Sequence, residues 1–588
     1  MKTENNKRLS DIFRDMAAIY RYLGEAERFR AIAYSRAARM LDGLGEDIST
    51  YSGMERLDSL PGIGEGIAGL IMEFLSKGSI RKYEQLKRSV PFDLLELMDI
   101  KGFGPQSLKT VHNELGVQTR EQFIRALQDG SVSKIKGFGA GKIEKMFRGL
   151  KLQQVLEERL LLHEAMETGK KLIEKLQKTK GVLQIELAGS LRRKKDTIGD
   201  FDILICCDDK NRKQIISEFI SDSFAKQVLV KGSTRISIIL KENGRQADLR
   251  LVKEDEWGAA LQYFTGSKEH NIRLRSIAKE KGYKISEYGI FRISDNVRVG
   301  GKKEEDIYNM LGMTFIPPEM REDKGEIALA MENRIPRIIN LSDIRGDMQM
   351  HSKWSDGMNS IEEMAEYAGK KLGYGYIVIT DHSKSTRIAN GLDDTQILKQ
   401  VDEIRKLNSL SGKPYILAGI EVDILPDGQL DIADEILARL DWVTASIHSK
   451  FETDNTERII MACKNPYVNC IGHPYGRLIG SREAYPLDID KVIKTAKATF
   501  TALEINAQPD RMDLTDNAAR LAREAGVKLI ISTDAHSTGN FEYMESGISI
   551  AQRAWCTAND ILNTRPIDEV LEWRKKKLKN AGLSATQQ

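Results

Sequence analysis

Three times before residue 140 the chain repeats hydrophobic–x–Gly–hydrophobic–Gly followed by an amphipathic stretch: LPGIGEGIAGLI around Gly62, IKGFGPQSLKTV around Gly102 and IKGFGAGKIEKM around Gly137. A single Gly-x-Gly turn is an ordinary helix connection. Three copies with the same flanks, spaced by about 35 to 40 residues, mark a repeated structural unit. The surrounding segments, such as DIFRDMAAIYRYL and FRAIAYSRAARML, place apolar residues on one face, so residues 1–150 are expected to be helical.

From Val182 the pattern changes to short apolar strands, LQIELAG, FDILICC, RISIIL and ADLRLV, which predict a mixed α/β unit. The stretch FIPPEMREDKGEI, around Pro317 and Pro318, reads as irregular structure closing that unit. Strands and helices then alternate to about residue 550 (YIVITD, PYILAGIEVD, WVTASI, TALEIN, KLIISTD), the rhythm of a barrel-like α/β domain. The basic run RKKKLKN near Arg574 is expected to be a solvated helix end. At 588 residues the chain exceeds what one core supports, so several domains are expected.

Charge divides the same way. Residues 1–340 carry 59 Lys+Arg against 50 Asp+Glu, and residues 341–588 carry 30 against 36. A basic half suits a polyanion and an acidic half suits cations. No apolar run approaches the roughly 18–20 residues that span a bilayer, so no membrane association is expected. Five cysteines without a CxxC pair exclude a disulfide framework and fit a reducing cytoplasm.

Asp200 and Asp202 in GDFDILI stand at i and i+2 of a strand, so both carboxylates project from one face. Asp248 in ADLRLV reaches the same point from a neighbouring strand. Three converging carboxylates repel unless they share divalent cations, the requirement of a two-metal nucleotidyl transfer. Asp488 and Asp490 form the same pattern in LDIDKV without supporting context. Upstream of Asp200, GSLRRKKDTIGDFDIL has the spacing of a nucleotidyltransferase phosphate loop, with Ser190, the backbone at Gly199, and Arg193 placed for the β- and γ-phosphates.

With YFTGSKEHNIRLR from Tyr263, these segments resemble family X DNA polymerases over nearly all of residues 1–330. The resemblance implies that Tyr263 and Phe264 flank the nucleotide sugar, with Gly266 in the same nucleotide-binding string. Asn271 and Arg275 would contact the nascent pair and the template. The repeats resemble helix-hairpin-helix motifs, in which Gly62, Gly64, Gly102, Gly104, Gly137 and Gly139 would expose backbone N–H groups to DNA phosphates. Mg²⁺ at Asp200, Asp202 and Asp248 is implied, with gapped or primer-template DNA and dNTPs as substrates. Family members with lyase activity carry a Schiff-base lysine where this chain has Leu70, so lyase chemistry is not expected there.

Five of the eight histidines lie beyond residue 350, each beside polar residues at a predicted strand end. Active sites of α/β barrels gather at such ends. The set resembles the PHP phosphoesterase domain, a distorted seven-stranded barrel holding up to three metals. By that resemblance His351, Asp356, His382, Glu421, His448, His473, Asp534 and His536 ligate Mn²⁺ or Zn²⁺, with Glu421 bridging. The first residue of the usual His-x-His pair is Gln349, a weaker ligand expected to loosen the site shared by His351, Glu421 and Asp534.

The expected fold is thus multidomain α/β. It comprises a helical helix-hairpin-helix N-terminal domain (1–88), helical fingers (89–150), a nucleotidyltransferase palm with a mixed β-sheet (151–256) and a thumb (257–320). A linker (321–340) and a C-terminal PHP distorted (β/α)7 barrel (341–580) follow. The expected activity is gap-filling DNA synthesis by a monomer, with 3′–5′ exonuclease action in the second domain. Two rivals are a template-independent nucleotidyltransferase and a DNA-binding scaffold with a small-molecule PHP phosphatase.

Overall fold

The computed structural model describes residues 4–583 apart from positions 45, 52, 59, 61, 101, 412 and 413; Pro61 and Lys101 of the first two glycine motifs are therefore outside the described residues. In each repeat the first glycine is left-handed, with φ of +82° at Gly62, +100° at Gly102 and +92° at Gly137. The second, Gly64, Gly104 or Gly139, is extended and caps the helices Glu65–Lys77, Pro105–Leu115 and Ala140–Glu158. A side chain at the first position would be strained. At Gly102 it would also lack room, since a Cβ would lie 3.1 Å from the Met146 nitrogen. The repeats sit in two cores, one around Phe13, Tyr34, Ile67 and Phe74, the other around Phe103, Phe123, Val132 and Met146. The third helix runs on to Glu158, past the boundary expected at 150.

The following five-stranded sheet has the order Val182–Leu187, Asp200–Cys207, Gln246–Val252, Arg235–Leu240, Ala225–Lys231. Only the second and third of these strands pair in parallel. Beyond it, a three-stranded antiparallel sheet covers a core containing Ile290, Ile307, Tyr308 and Ile316. Residues 321–340, expected as a linker, are packed instead: Ile327 and Ala330 join this core, as does Trp555 from the C-terminal half. Arg321 is fully buried and shares Glu304 with Arg192. Both Arg192 nitrogens donate to the Glu304 carboxylate at 2.8 Å, and Arg321 Nη1 donates to it at 2.5 Å.

Seven parallel strands in chain order form the C-terminal unit: Gly346–Asp347, Tyr376–Ile379, Tyr415–Asp423, Trp442–Ser446, Cys470–Ile471, Ala502–Asn506 and Leu529–Ser532. The sheet curls until its ends meet. Met350 bridges Ala535 in parallel, and His351 N–H donates to the Ala535 carbonyl at 2.8 Å. The basic C-terminal helix, Ile567–Asn580, corrects the expectation of a solvated end. Arg574 Nη2 donates to the Leu440 carbonyl at 2.5 Å, and Lys577 Nζ donates to the Cys463 carbonyl at 3.0 Å and Thr501 Oγ1 at 2.6 Å. Cys463 lies in the last turn of a helix, where unpaired carbonyls accept cationic donors. All five cysteines are buried and unpaired, and no described helix is long and apolar enough to cross a membrane.

Burial alone would raise the Glu304 pKa, but Arg321 and Arg192 outweigh it and hold the carboxyl at about 2 against an ordinary 4.5. Its stabilising contribution is therefore complete above about pH 4.5 and lost as the pH falls toward 2. Glu304→Ala strands the buried Arg321 guanidinium and the half-buried Arg192, so urea denaturation should show a loss of about 3–5 kcal/mol. An unchanged midpoint would contradict this role.

Candidate active sites

Phe201 and Ile203 are buried on one face of the Asp200–Cys207 strand, so Asp200 and Asp202 emerge on the other. Parallel register sets Asp202 beside Asp248. Ser237 Oγ donates to Asp248 Oδ1, and Gln246 Nε2 donates to Oδ2 at 3.0 Å. Burial, then the charges of Asp200 and Asp248, push the Asp202 carboxyl up to about 7. Such a cluster fits divalent cations, which would relieve both causes. Gly189, at φ +59°, lets the loop carrying Ser190 close on it: a Cβ there would lie 2.1 Å from Asp202 Oδ2.

Beside Gly199 stands Arg159, a residue the sequence reading missed. Its Nη1 is 3.0 Å from where a Gly199 Cβ would lie, and its Nε donates to Thr197 Oγ1 at 2.9 Å. Arg193 is engaged elsewhere: Nη1 donates to the Thr265 carbonyl at 2.6 Å and Nε to Glu322 at 3.1 Å. Glu322 in turn accepts from Arg553 of the barrel half at 3.0 Å. The Gly266 Cβ position is 3.2 Å from Arg193 Nη1, so the glycine admits the guanidinium. Tyr263 and Phe264 pack edge to face with centroids 5.2 Å apart. Asn271 Nδ2 donates to the Tyr263 carbonyl at 2.7 Å, and exposed Arg275 donates to the Asn271 carbonyl at 3.2 Å. One network thus joins Tyr263, Asn271 and Arg275.

In the barrel, Glu421 lies within its strand, and His351, His382, His448, His473, Asp534 and His536 all follow the C-terminal ends of strands. Glu421 Oε2 is 2.9 Å from His382 Nδ1 and 3.8 Å from His351 Nε2. Its Oε1 faces His473 at 3.1 Å, His448 at 3.6 Å and the Gln349 amide nitrogen at 3.2 Å. Gln349 therefore meets Glu421 on its Oε1 side. Two groups can each offer one ligand atom per residue within 4.8 Å: His351, Asp356, His382 and His536; and His382, Glu421 and His448. His473 and Asp534 lie beside these groups, Asp534 Oδ1 being 2.9 Å from His351 Nε2. Gln349 Oε1, His351 Nδ1 and His473 Nδ1 are buried without a hydrogen-bond partner, which fits a site built for cations.

Several supporting residues were not anticipated. Asp423 Oδ1 lies 2.7 Å from His448 Nδ1 and orients that ring. Asn506 Nδ2 donates to Asp534 at 3.1 Å, and the His473 N–H donates to Glu504 at 2.5 Å. Their signal was the i, i+2 pairing of polar residues at strand ends, in IEVD and LEIN. In the N-terminal domain Leu70 packs against the first core, and Lys82 Nζ donates to Tyr34 Oη at 3.1 Å.

Family models match three parts of the chain: "Helix-hairpin-helix domain" at residues 4–80, "DNA polymerase beta palm" at 159–243 and "DNA polymerase beta thumb" at 260–322. A Bacillus subtilis protein named "DNA polymerase/3'-5' exonuclease PolX" is 37% identical over 574 residues, covering 96% of this chain and 99% of that protein. "DNA polymerase lambda" of Rattus norvegicus is 28% identical over 349 residues, 54% of this chain and 57% of that protein. A "Probable phosphatase" of Thermoanaerobacter sp. is 35% identical over 237 residues, 38% of this chain and 91% of that protein.

The raised Asp202 pKa generates a test. The folded state holds a proton that the unfolded chain loses near its ordinary 3.8, so metal-free stability should decline as the pH rises from about 4 to 7. Above pH 7, Asp202→Asn should stabilise the metal-free protein by about 1–3 kcal/mol in denaturant titrations. In the unaltered protein, cation affinity at this site should weaken as the pH falls below 7. A destabilised Asp202→Asn variant would contradict the assignment.

Proposed function

This chain belongs to the bacterial PolX group of family X DNA polymerases with a C-terminal PHP domain, and on that premise we propose that it is a template-directed DNA polymerase filling gaps during repair, with a metal-dependent 3′–5′ exonuclease in its barrel. The observation that carries this reading is the register placing Asp202 beside Asp248, with Asp200 on the same face and a glycine-tight loop above.

In the polymerase site Asp200, Asp202 and Asp248 would hold Mg²⁺. Ser190, the Gly199 backbone and Arg193 would take the triphosphate, for which Arg193 exchanges Glu322 for phosphate oxygens. Tyr263, Phe264 and Gly266 would shape the sugar pocket. Asn271 and Arg275 would meet the base pair and template, the first locked by Gln262 at 2.7 Å. The hairpin glycines Gly62, Gly64, Gly102, Gly104, Gly137 and Gly139 would leave N–H groups free for DNA phosphates. The barrel's eight residues, from His351 to His536, would hold Mn²⁺ or Zn²⁺. When bound, these cations supply activation of the 3′-hydroxyl and leaving-group stabilisation in one site, and a water nucleophile in the other. Similarity to probable phosphatases supports a second reading for the barrel alone, hydrolysis of small phosphate esters.

Primer extension on a gapped duplex, with and without template, tests the first site. Asp200→Asn or Asp202→Asn should leave less than about 1% of incorporation, since loss of a catalytic ligand costs orders of magnitude. Equal extension without template would favour a template-independent transferase. The second site is tested by single-strand degradation in an Asp200→Asn background. Gln349→His should degrade faster than its parent, and His448→Ala not at all. If parent and Gln349→His both stay inert with Mn²⁺ and Zn²⁺, the barrel is no nuclease.

A further inference from the structure

The helix Arg28–Gly43 belongs to the N-terminal core, yet two of its arginines reach the barrel. Arg39 Nη1 lies 3.8 Å from Asp356 Oδ2, and Arg36 Nη2 donates to Asn390 Oδ1 at 2.8 Å. Asn390 Nδ2 donates to the Ser355 carbonyl at 3.3 Å, so Arg36 holds a residue that braces the Asp356 loop. Met358 of that loop packs against the N-terminal core, while its N–H donates to the His536 carbonyl at 2.7 Å. The loop is thus clasped between the N-terminal domain and the barrel's ligand segment.

The two oxygens of Asp356 are divided. Oδ1 faces His536 at 3.4 Å and His382 at 3.8 Å, whereas Oδ2 faces Arg39. A cation on the histidines and a guanidinium can therefore share the carboxylate, one on each oxygen. The Arg39 side chain is 55% exposed, so it stands at the mouth of the cluster with donors open to solvent. A phosphodiester there would meet positive charge from both directions, the fork of Arg39 matching its non-bridging oxygens. Arg36 also abuts the first glycine turn: the Gly62 Cβ position is 3.4 Å from Arg36 Cβ. A strand gripped at that turn would lie against the helix that carries Arg39.

We propose that the helix Arg28–Gly43 completes the nuclease site, with Arg39 binding the phosphate of the entering 3′ strand and Arg36 positioning the Asp356 loop. The inference rests on the reading of the barrel as a metal-dependent phosphodiesterase. It makes degradation of DNA depend on the N-terminal domain far more than hydrolysis of a small phosphodiester does.

The test uses the full chain in an Asp200→Asn background and compares Arg39→Ala, Arg39→Lys and Arg36→Ala. Arg39→Ala should raise KM for single-stranded DNA by about tenfold with little change in kcat, and reduce the salt slope of binding by about one. Arg39→Lys should recover part of the loss, because it keeps the charge without the fork. Hydrolysis of bis(p-nitrophenyl) phosphate should fall by a much smaller factor. Without metal, an oligonucleotide ending in 3′ 4-thiothymidine should photocrosslink to the 28–43 segment. Unchanged KM and salt slope in Arg39→Ala would overturn the proposal, and so would faster degradation, which would make Arg39 a plug. Failure of the parent to hydrolyse the chromogenic ester counts against the barrel reading instead. Even then, crosslinks confined to other segments would overturn this inference, and crosslinks to residues 28–43 would support it.

Discussion

Carboxylates held closer together than water would leave them are the constraint on which both sites depend. Asp202 sits beside Asp248 because two parallel strands pair in that register, and the backbone ladder holds together carboxylates that would separate in water. Shifting the pairing by one residue would turn the aspartates toward Phe201's side of the sheet and bury them in the core. In the barrel the same role falls to seven strands whose C-terminal ends converge, bringing residues almost two hundred positions apart into contact around Glu421. There the balance is different. Burial would raise Glu421, but the imidazoles of His382 and His448 hold its carboxyl well below the ordinary range, so the barrel site is stabilised partly by its own histidines. In the palm, burial and the charges of Asp200 and Asp248 outweigh the nearby Arg250 and Arg193, and the central acid is pushed up to about 7.

The two halves are joined through charge as well as through packing. Arg553 donates to Glu322, to the Arg193 carbonyl at 2.9 Å and to Asp516 at 2.6 Å. Lys194 donates to Gln552 at 3.0 Å, and Arg477 to Asp196 at 3.3 Å. Arg193, Lys194 and Asp196 lie between Ser190 and Asp200, so the nucleotide side of the palm rests on the barrel. Trp555 in the thumb core adds an apolar anchor. The Arg553 pairs, the most buried of these, contribute little net stability but penalise other arrangements heavily, which suits a junction that must keep one orientation.

Much of this was legible in residue spacing. The i, i+2 aspartates, the glycine repeats and the histidines at strand ends each carry a geometric consequence that survives without knowledge of the rest of the chain. What escaped notice depended on tertiary partners. Arg574 and Lys577 look like solvent-facing charge until the carbonyls they satisfy, at Leu440 and Cys463, are in place. Residues 321–340 look like a linker because they follow the irregular stretch at Pro317 and Pro318, yet Arg321 and Glu326 are fully buried against partners distant in sequence. The short strands Gly346–Asp347 and Cys470–Ile471 have no periodicity to detect, being two residues each. Which oxygen of Glu421 meets the Gln349 amide is likewise decided by the curl of the barrel, which residue spacing does not carry.

The central claim is that one chain carries two separate cation centres assembled by parallel register. Anomalous diffraction from crystals soaked in Mn²⁺ tests it most directly. The account predicts one set of peaks among Asp200, Asp202 and Asp248, and a second around Glu421 with His351, His382 and His448 as neighbours. Peaks absent from either cluster, or bound only at unrelated surface acids, would contradict it.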